Sequence, residues 1–309
     1  VKILVLGAAA GGGYPQWNCS CPNCRRAWNG DPLATPLTQS SIAISADGVR
    51  WALLNASPDL RQQIAGLPPL QPQATEGRNS PISTVILTNG DVDHITGLLS
   101  MREMQAFTIH CSDRVKLALD KNAVFNVLNP DLVKRRALPL DRTVDVLDAD
   151  DVSMGFTVTS FVVPGKIALW LEDLTKADFG SVEGDTVGLK ITDKSNGRSF
   201  FYIPGCAALP ADVAARLENA DLLFFDGTTW TDDEMITTGV GTKSASRMGH
   251  MWMSGPDGSM AAMMPLRIKR KIFIHINNTN PVLIANSTER KDAQAKGWEI
   301  SYDGMEVVL

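Results

Sequence analysis

Three cysteines crowd into six residues, Cys19-Ser-Cys21-Pro-Asn-Cys24, in a chain whose five cysteines are an odd number. Thiols this close suit a shared metal better than a disulfide framework. Three thiolates and one further ligand close a tetrahedral zinc site, which is structural because no position stays open for substrate. The knuckle at 19–24 therefore constrains the fold, since another segment has to return to it with a fourth ligand. His275, His250, His110 and Cys206 are the candidates, in that order of preference.

With 309 residues, 44% of them hydrophobic and 20% charged, the chain can bury a sizeable core, and a single domain over 1–309 is expected. A net charge of -5 argues against a nucleic-acid partner, and Lys269-Arg270-Lys271 reads as the solvated approach to a strand. No apolar run approaches the roughly 20 residues that span a bilayer. The opening Val1-Lys2-Ile3-Leu4-Val5-Leu6-Gly7 lacks the long apolar region of a signal peptide and reads as a strand, so the expected location is cytoplasmic.

Along the chain, Ser40–Ser45, the turn at Asp47-Gly48 and Val49–Asn55 predict a hairpin. Ser57-Pro58-Asp59 opens a helix to about Ala65. Val85–Thr88 is a short buried strand, followed by a helix over Thr96–Met104, a strand over Phe107–His110 and a helix capped by Ser112. Residues 138–163 read as strands and turns, Gly188–Thr192 and Ser199–Ile203 as a hairpin, and Pro210–Leu217 as a helix. Leu222–Asp226 and Ile272–His275 are strands that end in polar residues, Thr288–Lys296 is helical, and Asp303-Gly304 turns the chain into its last strand.

Thr88-Asn-Gly-Asp-Val-Asp-His-Ile-Thr-Gly97 leaves a buried strand and places Asp91, Asp93 and His94 within four residues. Carboxylates and imidazole together suit zinc, iron or manganese. Two histidines, His94 and His275, and one carboxylate, Asp93 or Asp91, would leave positions open for oxygen and substrate, as in non-haem iron oxygenases. In isolation the loop fits equally well a turn whose aspartates bind backbone amides while His94 caps the next helix.

The same ten residues resemble the metallo-β-lactamase superfamily signature Thr-His-x-His-x-Asp-His-x-x-Gly. Asn89 and Asp91 stand where the two leading histidines belong; Asp93 and His94 are retained. The resemblance implies an αββα sandwich (α+β), two mixed β-sheets flanked by helices, with one or two metals between them. Four histidines in all, His94, His110, His250 and His275, are too few for the usual dinuclear hydrolase site. Tyr202-Ile-Pro-Gly-Cys206 stands where the bridging aspartate is expected. The knuckle and Asp303-Gly304-Met305-Glu306 resemble a branch that includes a cyclic phosphodiesterase of phosphonate metabolism, where a later histidine serves the knuckle; Asn278 takes its place here.

Gly11-Gly12-Gly13-Tyr14-Pro15-Gln16-Trp17-Asn18-Cys19, Thr38–Ser41, Asn55–Asp59, Met248-Gly249-His250 and His275–Pro281 together resemble a family of pyrroloquinoline quinone (PQQ) biosynthesis proteins. That resemblance implies work on a small-molecule precursor, a cross-linked glutamate and tyrosine, or on PQQ itself, beside other PQQ biosynthesis proteins. One implied role is hydroxylation of the tyrosine ring by O2 and an active-site Fe2+, next to a structural Zn2+. Carriage of PQQ toward export is another, for which Arg102, Arg135-Arg136 or Arg247 would bind carboxylates; a metal-dependent hydrolase of the same fold is a competing reading, which needs histidines this chain lacks. Within the hydroxylase reading Asp91 or Asp226 steers protons, Asp226 standing where relatives carry an acid near the metals. His250 is either a core histidine or a substrate and proton-transfer group. His275 serves the knuckle or the active-site metal, and the knuckle is preferred.

Overall fold

The computed structural model describes residues 1–176 and 180–309. Among the described residues, fourteen strands form two seven-stranded sheets. The first holds β1 (Lys2–Gly7), β2 (Ser41–Ser45), β3 (Trp51–Leu54), β4 (Ile82–Ile86), β5 (Phe107–Cys111) and β6 (Val133–Ala137). The second holds β7 (Thr143–Leu147), β8 (Ser153–Val162), β9 (Val187–Asp193), β10 (Ser199–Ile203), β11 (Leu222–Asp226), β12 (Lys271–Ile274) and β13 (Trp298–Ile300). The last strand, β14 (Glu306–Val308), returns beside β1. Both sheets are mixed: β3 to β6 and β10 to β13 pair in parallel, and the other neighbours are antiparallel.

Alternation along the strands makes the layers, because successive side chains point to opposite faces. In β11, Leu222 and Phe224 join Ile3, Val5, Ile42, Leu54 and Ile86 in the core between the sheets. Their neighbours Leu223 and Phe225 face the opposite way, with Val213 and Leu217 of the helix Ala211–Leu217. Behind the first sheet, Leu53, Val85 and Ile109 pack with Leu60, Leu98, Val115 and Leu119. The result is helix, sheet, sheet, helix: the expected αββα sandwich. Among the described residues no helix is long and apolar enough to cross a membrane.

Most differences from the sequence expectation lie in short elements. The strand β6, Val-Lys-Arg-Arg-Ala, carries no apolar alternation because it is an edge strand, and charge on an edge discourages pairing with another chain. The cysteine segment, for which no element is predicted, runs into a helix, Pro22–Trp28. The helix expected over Thr96–Met104 begins earlier, as Val92–Ile95, and continues as a 3-10 turn over Thr96–Met101. Its ladder is diverted because the His94 carbonyl accepts from Ala56 N at 2.7 Å and Gly97 N donates to Ala56 O at 2.9 Å.

Gly97 makes that contact possible. A Cβ there would lie 2.3 Å from Ser57 O and 2.8 Å from Ala56 O. Gly97→Ala is expected to destabilise the protein by about 1–3 kcal/mol, the usual cost of forcing a methyl group into a packed contact. Urea unfolding measures this, and an unchanged midpoint would contradict the packing account.

Candidate metal centre

The parallel strands of both sheets release their carboxyl ends at the same edge of the sandwich, and the polar residues gather there. Thr88 leaves β4 in a conformation fixed by Asn55, which follows β3. Thr88 N donates to Asn55 Oδ1 at 2.9 Å, and Asn55 Nδ2 donates to Thr88 Oγ1 at 2.9 Å. Asp93 and His94 then emerge within one helical turn. From the opposing sheet, β11 ends in Asp226 and β12 hands over to His275.

His94 has one defined tautomer. Asn89 Oδ1 already accepts from Asp91 N at 3.0 Å, so it is the oxygen, and the His94 Nδ1–H donates to it at 2.8 Å. The lone pair is therefore on Nε2, which is buried with no hydrogen-bond partner, 3.9 Å from Asp93 Oδ2. Burial pushes the ring down to about 4 against the attraction of Asp93, so it is neutral near pH 7. A buried lone pair without a donor fits a metal ion.

His275 faces the same point. Its Nε2 lies 3.1 Å from Asp93 Oδ2, and its Nδ1 lies 3.0 Å from Thr228 Oγ1. Thr228 gives its hydroxyl proton to Asp226 Oδ1 at 2.6 Å, so the His275 Nδ1–H donates to it and Nε2 is left facing a carboxylate. That pairing needs either a proton or a cation. Burial favours the neutral ring, but the Asp93 hydrogen bond and charge outweigh it and hold the His275 pKa above the ordinary value. Burial likewise opposes ionisation of Asp93, and the two imidazoles overcome it, keeping the carboxyl well below the usual range. Ligand atoms of Asp93, His94 and His275 all lie within 4.8 Å of one another.

Asp226, His250 and His275 form a second such group, sharing His275. Asp226 is fully occupied with donors: Cys206 N at 2.9 Å, Thr228 N at 3.0 Å, Thr228 Oγ1 at 2.6 Å and His250 Nδ1 at 2.7 Å. It therefore reads as the group that orients His250 and Thr228. His250 is only partly buried and stacks on His275, with ring centroids 5.1 Å apart.

At the knuckle, Cys21 caps the helix Pro22–Trp28, its sulfur accepting from Cys24 N at 3.5 Å, while Cys19 Sγ accepts from Cys21 N at 3.4 Å. Asn278 Nδ2 roofs the three sulfurs, at 3.2 Å from Cys19, 3.8 Å from Cys21 and 3.3 Å from Cys24. Burial pushes the Cys24 thiol up to about 12 and raises Cys21 as well, so ionising these two calls for a cation. The three thiolates fit zinc, and the Asn278 amide lies over them as a hydrogen-bond donor.

A model of the beta-lactamase superfamily domain matches residues 50–276. Coenzyme PQQ synthesis protein B of Rhodopseudomonas palustris (strain TIE-1) is 52% identical over 309 residues, all of both chains. That of Xanthomonas euvesicatoria pv. vesicatoria is 50% identical, again over the full length of both. The chain belongs to the coenzyme PQQ synthesis protein B family. Among solved structures of that family, Zn2+-bound PqqB from Methylobacterium extorquens superposes with a TM-score of 0.94 at 48% identity, covering 100% of both chains. A diphosphatase from the PhnP family matches at TM-score 0.69 and 17% identity, covering 100% of this chain and 97% of its own, and shares the fold.

Within this family member, two expectations from the sequence are corrected. His275 does not close the knuckle. Strand β12 stops at Ile274, and the turn at His275 (φ 60°) sends its ring toward Asp93, while Asn278 is the residue that reaches the thiols. Asp91 falls outside both donor groups, because its Oδ1 accepts from Leu169 N at 3.1 Å; burial and the neighbouring Asp93 charge raise its pKa. His110 lies apart, its Nε2 3.3 Å from Leu147 O, and Cys206 Sγ donates to Ala208 O at 3.0 Å. Thr228 was not singled out in the sequence, although Asp226-Gly-Thr-Thr after a buried strand has the form of a site loop.

His275→Ala is expected to keep zinc at the knuckle and to lose metal at Asp93 and His94, read by metal content per chain. Loss of knuckle zinc alone would reverse the assignment. Metal uptake at the second site is expected to weaken on acidification. The raised pKa of His275 means that a proton competes for Nε2, and below that pKa affinity falls about tenfold per pH unit for one displaced proton. Titration with Co2+ from pH 8 to pH 5 tests this, and a flat profile would contradict it.

Proposed function

We propose that this chain serves PQQ biosynthesis by hydroxylating the tyrosine ring of the cross-linked glutamate–tyrosine precursor, using Fe2+ and O2. The observation that carries the reading is the donor set: one carboxylate, Asp93, and two imidazole nitrogens, His94 Nε2 and His275 Nε2, converging from the two sheets. Three protein donors on one face leave positions for two further groups, the pattern of non-haem iron oxygenases. A second metal is disfavoured, because Asn89 and Asp91 replace the leading histidines of the superfamily loop and Asp226 is saturated with hydrogen bonds. The family name of the relatives supplies the pathway, and the zinc named for the Methylobacterium extorquens structure supports zinc at Cys19, Cys21 and Cys24. Cytoplasmic work beside the other PQQ biosynthesis proteins belongs to the same reading.

Iron bound at Asp93, His94 and His275 would supply the one-electron chemistry through which O2 reacts with a phenol. The net step replaces a ring C–H by C–OH, takes up O2, two electrons and two protons, and releases water, with the electrons supplied by an external reductant. The protein handles the protons. His250, held through Nδ1 by Asp226, keeps Nε2 as a base for the phenol O–H. Asp91, whose pKa burial and the Asp93 charge raise, stands beside it as a second group for proton transfer. Asn89 keeps the His94 ring turned with Nε2 inward.

Protein loaded with Fe2+ under anaerobic conditions, then given precursor, ascorbate and O2, is expected to form the hydroxylated product with matching oxygen uptake. His250→Asn is expected to lower turnover by about 10²–10⁴-fold while metal content is retained, the usual weight of one general base. Tight binding of PQQ with no oxygen uptake by the iron-loaded protein would favour the carrier role instead.

A further inference from the structure

One loop carries both metal sites. His275 contributes to the Asp93 cluster, and Asn278, three residues on, roofs the cysteines. His275 also has left-handed backbone (φ 60°), which a histidine adopts only where its surroundings hold it there. The holding contacts can be traced on both sides of the loop. On the sheet side, Asn277 N donates to Thr228 O at 2.9 Å, Asn280 Nδ2 donates to Gly227 O at 3.0 Å, and Ile276 N donates to Ala8 O at 2.9 Å. On the knuckle side, the Asn23 amide donates to three successive carbonyls, of Asn278 at 3.2 Å and of Thr279 and Asn280 at 3.0 Å each. Beneath the loop, Asn277 Nδ2 donates to Thr279 Oγ1 at 2.5 Å, and Thr279 donates to Glu234 Oε1 at 2.5 Å. Glu234 Oε2 accepts in turn from Trp230 N at 2.5 Å. Asn277, Asn278, Thr279, Asn280 and Glu234 are all buried, and a buried polar network whose members are satisfied fixes a single conformation.

We propose that Asn23, Thr279 and Glu234 are positioning residues for the metal centre, holding His275 in register with Asp93 and His94 through the loop it shares with the knuckle. None of the three touches the metal point. The knuckle thereby acts as an anchor for a catalytic ligand as well as a local staple. The inference rests on a metal being held at Asp93, His94 and His275, and is independent of the oxidation chemistry assigned to it.

Full-length protein with zinc in the knuckle, titrated with Co2+, tests this, because the visible ligand-field bands of cobalt report the geometry of the nitrogen and oxygen site. Asn23→Ala and Thr279→Val are each expected to weaken Co2+ binding about tenfold or more and to shift those bands, while knuckle zinc stays at one per chain. Thr279→Ser, which keeps the hydroxyl, is expected to restore both affinity and spectrum. If Asn23→Ala sheds zinc or fails to fold, Thr279→Val decides, since it leaves the Asn23 and Asn278 contacts in place. Wild-type affinity and bands in Thr279→Val would overturn the inference alone. No second-site cobalt in the wild-type protein would overturn the metal-centre reading and this inference with it.

Discussion

Across the gap between the two sheets, His275 Nε2 and Asp93 Oδ2 stand 3.1 Å apart. One comes from the loop after β12, the other from the loop after β4, and their meeting joins the two halves of the sandwich at the site. A carboxylate facing a ring nitrogen in a buried setting is unstable unless positive charge lies between or on them. Thr228 has already turned the other nitrogen of His275 into a donor, so the charge has to be a proton on Nε2 or a metal ion. The bare Nε2 of His94 at the same place favours the metal.

The substitutions around this contact bear on how many metals the proposed site would hold. In the superfamily loop the leading histidines would build a second metal position; here Asn89 spends its amide oxygen on His94 and on the Asp91 backbone. Asp91 is tied to the backbone of Leu169. Asp226, which would be a strong ligand if bare, orients His250 and Thr228. Of the two donor groups that share His275, the Asp93, His94 and His275 set is the one not already taken up by hydrogen bonds to Asp226. Under the proposed reading, that set would bind two small reactants on one metal.

Much of this was legible in the residues. The Asp-Gly hairpin turn, the buried runs Leu222–Asp226 and Ile272–His275 and the signature at Thr88–Gly97 placed the polar strand ends on the elements that carry them. The superfamily resemblance supplied the layers. The destination of His275 was not legible, because spacing along a chain does not say which way a ring leaves a strand. A single left-handed residue at the end of β12 turned it from the knuckle toward Asp93. Strand β6 was missed for a different reason: an edge strand rich in Lys and Arg shows no period-two pattern. Asn23 was passed over because an asparagine between two cysteines reads as loop filler, and its partners lie more than 250 residues away.

The central claim is one iron held by Asp93, His94 and His275 with its remaining positions open. Anomalous diffraction at the iron edge, on crystals of protein loaded with Fe2+ under anaerobic conditions, tests it most directly. A single iron peak among those three side chains and a zinc peak among the cysteines are expected. Two iron peaks about 3.5–4 Å apart, as in a dinuclear centre, would contradict it, and so would iron bound without His275.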